Sequence, residues 1–179
     1  DESPGLTGNM VDDVPVLGGW TWFGTADLED VYVICAVGTP AAAARLAGRA
    51  ESLGLSFINV ISPLAHISPF ANLAHGITVF PNVIVNTGAS IESHCILNVG
   101  STVSHDTKIG QYSNINPGAH LAGNILIGEG CCIGMGANVI QGVSIGEGTI
   151  IGAGAAVIRD MPAQVTAVGV PARVIKKRE

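Results

Sequence analysis

Large aromatic side chains are scarce in this chain, at 4% of 179 residues. Any core must therefore be assembled from small aliphatic groups rather than from the Phe, Tyr and Trp that dominate many cores. Charge is scarce as well, at 12% of residues, and the balance is acidic, with a net charge of −6. A protein whose main partner is nucleic acid needs a basic face, so that class is excluded. No run of 18 apolar residues occurs, which excludes a membrane-spanning helix, and nothing reads as a secretory signal. Cysteine is limited to Cys35, Cys95, Cys131 and Cys132, with no CxxC. The adjacent pair is poorly suited to a disulfide, so a reducing, cytoplasmic setting is expected. The chain starts at Asp1 without a methionine, which fits processing or truncation. Disorder is excluded by a hydrophobic fraction of 47%.

What the chain has in excess is glycine, 24 residues of it. Stepping by six from Ile67 to Val157 meets sixteen residues, each of them Leu, Ile or Val. A second lane four residues later, from Ala71 to Met161, is mostly small or apolar. Glycine recurs three residues past the aliphatic lane, as at Gly76, Gly88, Gly100, Gly118 and Gly130. A period of six fits neither an α-helix nor a coiled coil. It fits a very short strand, a turn that tolerates positive φ, and another short strand. Three such hexads close a triangular coil of eighteen residues, and stacked coils give a parallel β-helix. The pattern predicts it over about Ile67 to Pro162, a little over five coils, with no single coil stable alone.

Ahead of the repeats, residues 31–37 (VYVICAV) read as a buried strand. Thr39 is a candidate N-cap and Pro40 a first helical residue, for a helix that stops at Gly54. Residues 57–61 (FINVI) read as a second strand, completing a βαβ unit. After Pro162, residues 165–177 (VTAVGVPARVIKK) read as a closing strand and a basic cap. Five of the eight basic residues fall late: Arg159, Arg173, Lys176, Lys177 and Arg178. They are either a solvated tail or a site for phosphate groups. The expected organisation is 1–62 partial α/β, 63–165 β-helix, and 166–179 C-terminal strand and tail.

The segments IGEGCC, IGMGAN, VIQGVS, IGEGTI and IGAGAA resemble the hexapeptide repeats of left-handed β-helix acyltransferases. With VPVLGG at 14–19, AVGTP at 36–40, STVSHD at 101–106, HLAGN at 120–124 and AVGVPAR at 167–173, nearly the whole chain resembles the bacterial sugar O- and N-acetyltransferases of the sialic-acid O-acetyltransferase family. The resemblance implies a mainly β protein: a left-handed parallel β-helix preceded by a truncated α/β Rossmann-like subdomain. It implies acetyl-CoA as co-substrate, a sugar or nucleotide-sugar acceptor, no metal and a homotrimer with its active sites between subunits. One departure is large. The family's first strand and glycine-rich phosphate turn would precede Asp1, so the subdomain is either truncated or binds no nucleotide. Asp1 would be the last acidic remnant of that region.

Acetyl transfer from a thioester needs a base for the acceptor, donors for the oxyanion and a track for the coenzyme. Histidine is the natural base near neutrality. Two residues past the inward Val103, His105 falls at a turn, with Asp106 beside it to fix its tautomer and stabilise the imidazolium. The family's catalytic histidine lies in this motif, so His105 and Asp106 are the expected catalytic pair. Gly123, eighteen residues on, stacks beside His105, and the resemblance makes it a coenzyme contact. By the same resemblance Met135 and Ala153 line acetyl-CoA. Asn114 does so too, where some members have a histidine, and Gly38 lines the sugar site. His120 lies beside the expected cleft as a possible substrate contact, whereas His66, His75 and His94 read as solvated turn residues. Cys95 and Cys131 read as small core wall. Three rivals share features with this reading: a γ-carbonic-anhydrase-like zinc enzyme, a serine acetyltransferase and a non-catalytic β-helix scaffold. The first lacks its histidine pair five apart, since the spacings here are 9, 19, 11 and 15. The second lacks its long helical N-terminal domain.

Overall fold

A computed structural model describes residues 5–26 and 28–178. Asp1, and with it the expected acidic remnant, lies outside the described residues. The chain divides into two compact units, Asp1–Tyr32 and Val33–Glu179. The first contains an antiparallel hairpin, Met10–Val11 with Val14–Pro15, whose turn holds Asp12 and Asp13 at φ 46° and 64°. A four-residue helix, Trp20–Phe23, follows it.

The second unit is a parallel β-helix with a helix packed at one corner. Its strands are two residues long and pair with the strands one coil away, eighteen residues on. Val79, Leu97, Ile115, Ile133 and Ile151 form one such stack. Three parallel faces result. The first runs from Val60–Ile61 through Thr78–Val79, Ile96–Leu97, Asn114–Ile115, Cys132–Ile133 and Ile150–Ile151 to Val165–Val168. The second runs from His66–Ile67 to Ala156–Val157, and the third from Asn72–Leu73 to Ser144–Ile145. The solenoid begins at Val60, earlier than the hexads indicate, and has about six turns. The FINVI segment is divided between two structures. Just past Ser56–Phe57 the Ile58 amide donates to the Val33 carbonyl, while Val60–Ile61 already stacks on Thr78–Val79. The expected 62/63 boundary therefore falls inside the first coil.

The aliphatic lane fills the prism. From Val79 to Val157 every member is buried, while Ile67 and Leu73 cover its open end. The second lane is buried from Ile77 onward and lies just inside the corners. Three of its polar members, Thr107, Ser113 and Thr149, tie coil to coil: Thr107 Oγ1 donates to the Ala122 carbonyl and accepts from the Ile125 amide. Ser113 does the same with Gly128 and Cys131. Cys95 and Cys131 donate their thiols to the carbonyls of Gly110 and Gly146, so they are core wall as expected. Three residues past each inward aliphatic, from Gly76 to Gly154, the backbone is left-handed at every hexad. Asn82, His94, Asp106, Tyr112 and Asn124 occupy that position in place of glycine, with φ between 57° and 62°.

The helix spans Pro40–Ser52, with Thr39 extended before it. Thr39 makes no side-chain cap, contrary to expectation. At the far end the amides of Gly54 and Leu55 donate to the carbonyls of Glu51 and Ala50, the Schellman pattern, with Gly54 at φ 76° as expected of a glycine stop. Ala43, Ala47 and Ala50 form its buried stripe, and their small side chains allow close packing. The C-terminal strand Arg173–Lys177 turns back antiparallel on Val165–Val168. The basic segment is thus part of a sheet with exposed side chains, not a loose tail. No helix among the described residues is long and apolar enough to cross a membrane.

Candidate active site

His105 stands at the corner between the second and third faces, just past the strand Thr102–Val103. The corner is fixed by coil-to-coil bonds: the Asp106 amide donates to the Thr87 carbonyl and the Asn124 amide to the His105 carbonyl. With Asp106 at φ 58°, the two adjacent side chains meet outside the prism, Nδ1 of His105 lying 2.9 Å from Oδ2 of Asp106. Since carboxylate accepts, Nδ1 donates, and it is Nε2 that holds the lone pair of the neutral imidazole. The ring lies against the bare backbone of Gly123, where an added Cβ would sit 2.5 Å from Nε2. The imidazole is half exposed, and Nε2 is its atom nearest to Gly123.

The other expected residues occupy different corners. Met135 and Ala153 lie one coil apart at the corner between the first and second faces, both exposed, and the Gly154 amide donates to the Met135 carbonyl. Gly38 borders a groove of about 670 Å³ at the third corner, between the helix N-terminus and the solenoid, with Thr39, Tyr112, Glu129, Gln164 and Arg178. Arg178 is held there by donation of Nη1 to the Gly148 carbonyl. Asn114 lies on the first face and is 7% exposed. Its Nδ2 donates to the Gly38 carbonyl at 3.0 Å, and its Oδ1 is buried without a hydrogen-bond partner. The Asn114 amide therefore positions the Gly38 loop, a role that the coenzyme-lining expectation did not contain. One chain brings together His105, Asp106 and Gly123, and separately Gly38 and Asn114. Met135 and Ala153, expected to line the coenzyme, stand apart from both.

The structure also places two further histidines. His120 sits on the outer side of the second face, its Nδ1 2.9 Å from Thr102 Oγ1. His94 is no solvated turn residue; it is 4% exposed. Burial, and the neighbouring His75, push its imidazole below the ordinary range, against the pull of Glu51. Burial likewise raises the Cys95 thiol to about 12 and the Cys131 thiol to about 11, so neither offers a thiolate nucleophile near neutrality.

Residues 106–141 and 124–159 match the bacterial transferase hexapeptide (six repeats) family. The chain is 33% identical to the acetyltransferase domain of PglB from Neisseria gonorrhoeae FA1090, with a TM-score of 0.91 over 94% of this chain and 83% of that one. PglB's domain is also known in complex with acetyl coenzyme A. PerB from Caulobacter crescentus, in complex with CoA and GDP-perosamine, is 36% identical, with a TM-score of 0.90 over 93% of this chain and 81% of that one. WeeI from Acinetobacter baumannii AYE is 25% identical over 96% of this chain and 82% of that one, with a TM-score of 0.79. The chain belongs to the hexapeptide-repeat sugar acetyltransferases, built on a left-handed parallel β-helix. It is accordingly an acyltransferase, and the zinc-enzyme, serine-acetyltransferase and scaffold readings are set aside.

Proposed function

We propose that the chain transfers the acetyl group of acetyl-CoA to the amine of a nucleotide-linked amino sugar, with His105 as general base. The observation that carries this is the His105–Asp106 pair, with the half-exposed imidazole seated on the bare Gly123 backbone. The acceptor class follows from the relatives, one of which holds GDP-perosamine and is described as an N-acetyl transferase. Nε2 takes a proton from the attacking amine as nitrogen bonds to the thioester carbonyl carbon. Asp106 steadies the imidazolium through Nδ1–H. Collapse of the tetrahedral intermediate breaks the C–S bond, and the departing CoA thiolate takes the proton from Nε2. Gly123, Met135 and Ala153 line the coenzyme, while Gly38, held by Asn114, lines the acceptor groove.

With this assignment we infer a homotrimer. A triangular prism puts the base, the coenzyme-lining pair and the Gly38 groove on three different corners, so a complete site takes a corner from a second copy. It also implies work in the cytoplasm, where acetyl-CoA is available and four free cysteines stay reduced.

The test is CoA release from acetyl-CoA with a panel of UDP-, GDP- and dTDP-linked amino sugars. At least one acceptor supports turnover, and His105→Ala lowers kcat about 10²–10⁴-fold with Tm unchanged. Full turnover by the variant removes His105 from the mechanism, and silence with every acceptor overturns the substrate class.

A further inference from the structure

The corner between the third and first faces carries a cluster that acetyl transfer does not use. His75 and His94 stand on successive coils of that corner, and Glu51 reaches it from the last turn of the helix Pro40–Ser52. One ligand atom from each of the three lies within 4.8 Å of the others. The His94 side chain is 2% exposed, yet neither ring nitrogen has a hydrogen-bond partner. Its Nε2 faces Oε1 of Glu51 at 3.5 Å, an ion-pair separation without a hydrogen bond. The ring cannot turn away to find one. Tyr112 stacks on it at 5.2 Å and 5°, Phe57 meets it edge-on at 4.5 Å, and Nδ1 lies against the bare Cα of Gly76. Ser93 Oγ sits 3.4 Å from Nδ1 of His75, an orienting contact on the nitrogen that leaves Nε2 available.

A buried imidazole nitrogen and a carboxylate oxygen converge here with a second imidazole alongside. Two imidazoles and a carboxylate are the donor set of zinc sites that keep a water as fourth ligand. Tetrahedral bonds of about 2.1 Å set ligand atoms about 3.4 Å apart, and the His94–Glu51 pair already has that spacing. The outer two side chains, Glu51 and His75, are at exposed positions, where rotation of the side chain can close the remaining distance.

We propose that Glu51, His75 and His94 form a binding site for one divalent transition-metal ion, best suited to Zn²⁺, that ties the C-terminal turn of the helix to the solenoid. The site is separate from His105 and does not depend on the acetyl-transfer reading. Because that helix begins at the Gly38 groove, the ion clamps the element that shapes the groove.

The experiment uses the full chain without a histidine tag, stripped with chelator and titrated with Co²⁺ by visible absorption and with Zn²⁺ by calorimetry. One ion binds per chain, and Tm rises with free Zn²⁺ as mass action requires. Glu51→Gln and His75→Ala, at exposed positions, each weaken binding by about tenfold or more. His94→Asn, which keeps a residue tolerant of left-handed backbone, abolishes it. His105→Ala binds as the parent does. The proposal is overturned by an unmoved Tm at about 100 µM Zn²⁺, by equal affinity in His75→Ala, or by loss of binding in His105→Ala.

Discussion

Gly123 has no side chain, and the imidazole of His105 fills the space that one would occupy. The proposed base is thus supported from below by a backbone and from the side by Asp106. Gly123→Ala puts a methyl group into the ring and pushes Nε2 away from its resting place. Displacement of a reacting group by about 1 Å costs on the order of 10²-fold. The expected result is a kcat lower by about that factor with a Tm close to the parent's, because the ring is half exposed and can swing outward. Steady-state kinetics and a thermal melt check it. An unchanged kcat means that the packing of this ring on Gly123 has no part in catalysis. The corner position of this histidine was legible in the sequence because it stands two residues past an inward aliphatic; its proposed role rests also on the family resemblance of the motif. His94 was not legible in this way. Its place in the hexad is a turn position, which normally faces water, and its burial comes from Phe57 and the helix, which periodicity does not register.

Among the elements, the short strands themselves contribute few bonds each, and the corners decide how coils register. Thr107 shows how. Its hydroxyl is fully buried, donates to one backbone carbonyl and accepts from an amide of the next coil. Thr107→Val keeps the shape and removes both bonds, leaving a buried carbonyl and amide unpaired. The cost is about 1–3 kcal/mol. It appears as a lower urea midpoint at constant m. No loss of stability means that water reaches this corner. The inward lanes made this architecture readable in advance, since sixteen aliphatics at one spacing admit a single periodic structure. The ends were less readable. Val60–Ile61 precedes the first complete hexads and still joins the solenoid, because a strand needs only a neighbour eighteen residues away. The basic C-terminal residues gave no sign that Arg178 would fold back to Gly148 and the groove, since that position is set by antiparallel pairing with Val165–Val168.

At the scale of the whole molecule, the proposed roles of the three corners require that copies share their sites. His105 on one chain would face the Met135–Ala153 corner of a neighbour. Such sharing has a consequence that chains with self-contained sites do not have. Take one variant lacking the base, His105→Ala, and a second with a bulky charge in the coenzyme track, Met135→Glu. Each alone is inactive. After mixing, unfolding and reassembly, a site is whole wherever a Met135→Glu chain supplies His105 and a His105→Ala chain supplies residue 135. In a cyclic trimer assembled at random from equal amounts, that holds for about one site in four. Reassembly should therefore restore about a quarter of the parent activity, and light scattering should report three chains per particle. If each chain holds a complete site, mixing restores nothing, because every site carries one of the two lesions. A monomeric particle gives the same answer by a different route, since the three corners would then have no neighbour to meet.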